Sequence, residues 1–501
     1  MSKKFLAIVL LLCVVMMPFA GCGDTTTTTI SSDLIITSGD SSSSGTDDTK
    51  ASDEQSSGTN GSQTVQQNIK NPLEVNLGGA EITIYSVDKD AFNTSAKAST
   101  KSDQSRIDML KKLEKKINCK IVNKYVSASQ IQTQAFATIS SGKSLSHLIL
   151  TNAYMSAGLV SNKTVENIKN VPTMDVTKDY LNVGGAVEAS TYGGGTWYVA
   201  EPIKIYTLAQ GIFFNKRVLN EIGAKDTDLY KLVTNKQWTV GKLRDLAAKA
   251  VKDLDGKPGM TGEDRWGITY IDAASSFAPT ILEACGVKML VTDQSGKIKY
   301  NMESPEVINA INLANDIVKS NYSLLKDGKD DDAIKQFTSG RSLFLYGPVF
   351  YVSKLSDMED DFGFLPFPSN KSDGNYNSAV NWNTSVLMIP KNLSAKELKN
   401  AGSFLQAYCY LANDVNTSVK EDYTARYFRD DESGENFALA AKMQKLTVAQ
   451  SISNTNEAIL TGTYRVIWNL IGKNTAASTG IQSSKSAAVL AIDELMKKIK
   501  K

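Results

Sequence analysis

His147 is the only histidine among 501 residues, so a catalytic triad, a His-ligated zinc site or a histidine general base would each have to be built on that one side chain. Its neighbours belong to no nucleophile motif, and a packed or surface imidazole is the simpler reading. Ser141-Gly142-Lys143-Ser144 ends in the manner of a phosphate-binding loop, but the first glycine of such a loop would fall at Ala137. Gly193-Gly194-Gly195 lies between two β-prone pieces, which reads as a hairpin turn rather than a phosphate cradle. Asp253, Asp255 and Asp264 fall at positions 1, 3 and 12 of a calcium-type loop. Position 5 of that loop is Lys257 and its turn glycine is displaced to Gly259. An acidic turn in solvent is the simpler reading there, with a structural calcium as the alternative; no other cofactor is expected.

The bulk composition narrows the remaining classes. With 55 Lys+Arg against 53 Asp+Glu, the chain has no electrostatic footprint for nucleic acid, and 42% hydrophobic residues is ordinary for a globular chain. Residues 1–21 place Lys3 and Lys4 before an apolar run that ends at Phe19, the pattern of an export signal and shorter than a membrane span needs. Phe19-Ala20-Gly21-Cys22 resembles a bacterial lipobox, which would leave Cys22 lipidated. Residues 22–70 are rich in Thr, Ser, Gly and Asp and cannot bury enough apolar surface to fold. As a flexible coil they would hold a domain on the order of 35–40 Å from a membrane. Cys119, Cys285 and Cys409 are odd in number and far apart, so buried packing is expected for them in preference to a disulfide.

The elements that must position a site alternate between strand and helix. Residues 80–87 alternate as a strand, 104–118 place Ile107, Leu110, Leu113 and Ile117 on one helix face, and 119–125 and 145–150 read as strands. Ser304-Pro305 and the capping box Ser394 to Glu397 open two further helices, with strand-like runs at 343–346, 362–367 and 384–389 between them. This is an α/β chain with a mostly parallel sheet.

The stretch 193–223, GGGTWYVAEPIKIYTLAQGIFFNKRVLNEIG, resembles the bacterial extracellular solute-binding proteins of the maltose-binding type. Later pieces agree in order: Trp238-Thr239, Trp266-Gly267-Ile268, the run 340–348 and the run 363–368. The resemblance covers roughly residues 80–500 and implies a two-lobed periplasmic-binding-protein-like fold that closes over a ligand by hinge motion. It implies an N-terminal lobe of 71–205 plus 368–412 and a C-terminal lobe of 206–367 plus 413–501, with crossings near 203–208, 366–370 and 410–415.

A carbohydrate cleft needs aromatic faces to stack on sugar rings and polar side chains for the hydroxyl rim. The resemblance makes Tyr154, Trp382, Tyr346 and Phe277 the stacking candidates. Asn152, Asn381, Asn383, Tyr464 and Arg465 lie in the same loops as polar candidates, while Trp238, Trp266 and Trp468 are expected to pack. The function implied is a monomeric, lipid-anchored subunit on the outer face of a bacterial membrane. It would capture a carbohydrate and deliver it to an ABC permease without doing chemistry itself. A surface glycosidase, or a sensory or adhesion lipoprotein of the same fold, is the alternative.

Overall fold

The structure is a computed structural model that describes residues 71–325 and 330–500; the expected export signal, Cys22 and the tether lie outside the described residues. Ten strands make the two principal sheets: β1 Ala80–Ser86, β2 Cys119–Tyr125, β3 Leu148–Asn152, β4 Val199–Ala200, β5 Gln210–Asn215, β6 Trp266–Tyr270, β7 Ser323–Leu324, β8 Ser342–Pro348, β9 Phe362–Pro366 and β10 Ser385–Met388. The first sheet has the order β2-β1-β3-β10-β4 and the second β7-β6-β8-β5-β9.

Each sheet is parallel over three strands and antiparallel over the rest. In the first, β1 runs parallel to β2 and β3, with Ile82 opposite Ile121 and Ser86 opposite Leu150, while β10 runs against both β3 and β4. In the second, β6 is parallel to β7 and β8, and β5 runs against β8 and β9. The expectation of a mostly parallel sheet therefore holds only for the three strands joined by local helical crossovers. The antiparallel strands β5 and β10 are those by which the chain arrives from the other sheet.

Local sequence explains the elements well. The helix Lys101–Ile117 begins one turn earlier than apolar periodicity alone suggests, because the Thr100 hydroxyl and Asp103 carboxylate form a reciprocal capping box. It buries Ile107, Leu110, Leu113 and Ile117, each contributing roughly 1.5–3 kcal/mol through removal from water. The Gly193–Gly194 turn does make a hairpin, pairing Thr191 with Thr196 through two glycines at positive φ. His147 continues the first sheet: its Nδ1 accepts the Thr83 N–H at 3.1 Å. Cys119, Cys285 and Cys409 are free thiols.

Helices cover both faces of both sheets, and two apolar cores result. One joins Ile131, Ala157 and Leu159 beside the first sheet to Trp238, Ile281 and Ile467 beside the second. The other joins Leu110, Phe404 and Tyr408 to Phe337, Leu355 and Phe437. The chain passes from the first sheet to the second over 201–209 and returns over 367–384. The crossing expected at 410–415 is a correction: those residues lie inside the unbroken helix Ala395–Arg426, so a lobe boundary at 412 would cut a continuous hydrogen-bonded segment. Only after Tyr427 does the chain turn into the helix Asp431–Met443, which packs against β9. Among the described residues no helix is long and apolar enough to cross a membrane.

Candidate functional site

The carboxyl ends of the parallel strands in the two sheets open onto two adjoining cavities. This is where open α/β sheets place their ligands, because the loops that leave strand ends are free to vary while the sheet holds them rigidly. Asp88, Leu150 and Ser385 reach the larger cavity from the first sheet, and Asp272, Pro348 and Tyr351 reach the smaller from the second. The volumes are about 510 Å³ and 200 Å³, and both cavities are lined by Phe350 and Asn383. They form one cleft with two compartments.

The smaller compartment is aromatic. Trp382 is half-buried, and its ring centroid lies 4.7 Å from that of Tyr464, 6.0 Å from Trp468 and 6.1 Å from Tyr154. Its indole N–H donates to the Ser275 carbonyl at 3.2 Å, which ties the 367–384 crossing to the second sheet. Asn381 shapes this turn: its Oδ1 accepts the Asn383 N–H at 2.9 Å, and its carbonyl accepts the Thr384 N–H. Asp272 forms the opposite wall in a left-handed conformation with φ of 59°, uncommon for a residue other than glycine, and its carboxylate accepts the Ser275 N–H at 3.0 Å. Phe350 and Tyr351 stack with centroids 4.4 Å apart, and the Tyr351 hydroxyl donates to Asp330 at 2.6 Å.

The larger compartment is ionic. Arg106, Lys204 and Arg426 line it together with Asp88, Asp103, Glu201 and Asp422. Glu201 caps the helix Pro202–Thr207 by accepting the Ile203 and Lys204 N–H groups, and Tyr408 donates its hydroxyl to the same carboxylate. Burial pushes the Glu201 carboxyl up, against those donors and the nearby Arg106, all of which favour its charged form. Asp422 accepts the Ser102 hydroxyl at 2.9 Å and lies 3.6 Å from Arg426. Arg106 approaches Asp103 at 3.7 Å, and its Nε is buried without an acceptor. A buried donor left unpaired costs about 1–3 kcal/mol, so this guanidinium is suited to an acceptor brought by a ligand.

Of the residues singled out from sequence, Trp382, Asn381, Asn383 and Tyr464 line the aromatic compartment, and Tyr154 touches Trp382 from outside it. Tyr346 and Phe277 are a correction: both are fully buried beneath the compartment and offer no ring face to a ligand. The Tyr346 hydroxyl bonds Gln210 at 2.7 Å and Thr280 at 3.0 Å, and Phe277 packs between Tyr270 and Tyr346. Asn152 ends β3 opposite Ser385 and lines neither compartment. Arg465 is likewise absent from both walls and pairs with Glu457. Trp238 is buried as a packing residue, as expected.

Sequence reasoning missed Phe350, Tyr351 and the whole ionic wall. For the first two a signal existed: they follow Gly347-Pro348 at the carboxyl end of β8, a few residues beyond Tyr346. For Arg106, Glu201 and Asp422 no local signal existed, since they meet from three distant segments.

In the acidic loop, Asp253, Asp255 and Asp264 bring carboxylate oxygens within 4.8 Å of one another. Their lone pairs already have donors. Asp264 accepts the Leu254 and Thr261 N–H groups, each at 2.7 Å, which hold its carboxyl down at about 2. Asp255 lies 3.1 Å from the Lys257 ammonium, and Asp253 accepts the Gly256 N–H.

Two α/β sheets with a cleft at their facing carboxyl ends, linked by chain crossings, define a two-lobed α/β fold. The model of the family described as bacterial extracellular solute-binding protein matches residues 108–420, and the chain belongs to that family. None of the curated proteins matches the sequence. Solved structures match in fold. UspC of M. tuberculosis gives a TM-score of 0.58 at 15% identity, covering 82% of this chain and 100% of that one. The cyclic alpha-maltosyl-1,6-maltose binding protein of Arthrobacter globiformis gives 0.56 at 15% identity, covering 83% and 100%. A cyclo/maltodextrin-binding protein complexed with maltotetraose gives 0.53 at 15% identity, covering 84% and 96%.

Proposed function

We propose that this chain captures a carbohydrate, of oligosaccharide length, in the two-compartment cleft and delivers it to an ABC permease. The observation that carries the reading is the junction of an aromatic compartment with an ionic one across Phe350 and Asn383. Sugar rings present apolar faces to the first kind of wall and hydroxyls to the second. Two proteins similar in fold, a cyclic alpha-maltosyl-1,6-maltose binding protein and a cyclo/maltodextrin-binding protein complexed with maltotetraose, support the same class of ligand. Lipidation at Cys22 and a tether over 22–70 would hold a monomeric binding domain near the permease on the outer face of the membrane.

The test is a thermal-shift screen of residues 71–501 against mono- and oligosaccharides, with peptides and polyamines as controls. Ligand at 100 times its dissociation constant stabilises the native state by about 2.7 kcal/mol. A shift with one sugar series, and recovery of that sugar intact, is expected; release of cleaved sugar would make the protein a glycosidase instead. A shift with a peptide or polyamine alone would keep the fold and overturn the ligand. We also propose that the acidic loop needs no ion, because its carboxylates are held by their own N–H donors and by Lys257. Calcium should leave the unfolding midpoint unchanged; a calcium-dependent rise that is lost in Asp264→Asn would place an ion there.

A further inference from the structure

The ionic compartment carries charged side chains of both signs, and they are not equally provided for. Its carboxylates have donors of their own. Asp88 accepts the Asp90 and Ala91 N–H groups at 2.9 and 3.2 Å, and Asp103 accepts the Ser99 hydroxyl at 2.7 Å and the Thr100 N–H at 3.1 Å. Glu201 takes its two helix-cap N–H groups and the Tyr408 hydroxyl, and Asp422 takes the Ser102 hydroxyl. The cations lack such partners. Arg106, Lys204 and Arg426 approach Asp103, Asp88 and Asp422 at 3.7, 3.8 and 3.6 Å, too far for a hydrogen bond. Among the described residues no other acceptor meets their side-chain N–H groups, and the buried Arg106 Nε is the extreme case. The two arginines line the cavity from helices that pack together, Lys101–Ile117 and Ala395–Arg426.

This asymmetry restricts what the wall can hold. Three cations against four carboxylates is close to balance, so selectivity comes from which hydrogen bonds are open rather than from net charge. A hydroxyl both donates and accepts, and needs a free acceptor as well as a donor. A wall whose carboxylates are occupied and whose guanidinium N–H groups are open suits a group that only accepts, which is an oxyanion. The planar fork of a guanidinium meets two such oxygens at once, and hydrogen bonds between charged partners are roughly twice as strong as neutral ones.

We propose that the ionic compartment receives an anionic substituent of the sugar, which makes the ligand an acidic oligosaccharide whose oxyanion is held by Arg106 and Arg426. The inference rests on the carbohydrate reading above and deepens it. The shared chemistry is a carboxylate of a uronic acid or the oxyanion of a phosphate or sulfate ester.

The experiment is titration calorimetry on the full chain. Tetramers of galacturonate and mannuronate are compared with their methyl esters, and maltotetraose 6-phosphate and 6-sulfate with maltotetraose. One acidic series should bind at least tenfold more tightly than its neutral counterpart, and raised salt should narrow the difference. Binding of a uronate names the carboxylate, and binding of a phosphate or sulfate names the ester. Arg106→Met and Arg426→Met should each weaken the acidic ligand about tenfold and leave its neutral counterpart within twofold. Arg426 is the more exposed of the two, so its variant decides the matter if Arg106→Met fails to fold. Neutral sugars that bind as tightly as acidic ones, or an acidic preference that survives both substitutions, overturn the inference and leave the carbohydrate reading standing. Binding of none of these sugars overturns both.

Discussion

The two compartments of the cleft share Phe350 and Asn383 but are built by different means. The aromatic one is assembled from compact stretches, chiefly 272–276, 348–351 and 379–383, closed by Gln450 and Tyr464. The ionic one is drawn from the start of the helix Lys101–Ile117, the Glu201 cap and the far end of the helix Ala395–Arg426. Aromatic contacts tolerate small displacements, whereas a buried carboxylate must meet its donors at hydrogen-bond distance. The ionic wall therefore depends more heavily on the long helices that carry it.

The largest expected effect separates the two sides by pH. Glu283, behind the aromatic compartment, holds its proton to about 8 in the folded chain but to about 4.3 when unfolded. The folded state then binds more protons between these values, so stability is greatest below about pH 4.5 and declines as pH rises toward 8. The decline should be on the order of a few kcal/mol and should largely vanish in Glu283→Gln, as followed by urea unfolding from pH 5 to 8. If the decline persists in that variant, Glu201 on the ionic side becomes its source.

Next in size, Trp382→Ala should weaken sugar binding by about 2 kcal/mol, combining lost stacking with lost apolar contact. The same variant should lose about 2 kcal/mol of stability, because the indole also packs on Tyr464 and Trp468. Unchanged affinity by calorimetry would remove the aromatic compartment from the binding site. Arg106→Met keeps the aliphatic length and removes the unpaired Nε donor, and should cost about 1.5 kcal/mol of affinity with stability nearly unchanged. A ligand held by the aromatic side alone would be indifferent to it. The smallest effect, about 1 kcal/mol of affinity, is expected for Phe350→Ala, since this ring is 36% exposed at the junction. No loss there would mean that the ligand does not span both compartments.

Much of the fold was legible from local pattern. The span of β2, the caps at Ser304 and Ser394 and the hairpin at Gly193 each depend on residues within a few positions of one another. The lobe crossing expected at 410–415 was misplaced even though the apolar face of the helix Ala395–Arg426 continues at helical spacing through Leu411, Ala412, Val415 and Val419, a pattern that was legible in the sequence. At the site, Trp382 stood out because two asparagines flank it in a polar turn. Tyr346 looked equivalent in sequence, yet it lies inside a strand whose seven residues are all buried, and only the packing of Phe277 and Phe367 over its ring shows that.

The sequence by itself determined that this is an α/β chain of the solute-binding type and that histidine chemistry is improbable in it. Those conclusions follow from periodicity, caps and composition, which are local or additive. Tertiary structure alone decided which aromatic rings face the cleft and brought Arg106, Glu201 and Asp422 to one wall. Burial and the meeting of distant charges depend on how two sheets and the long helices between them pack, and no short window of sequence holds that information.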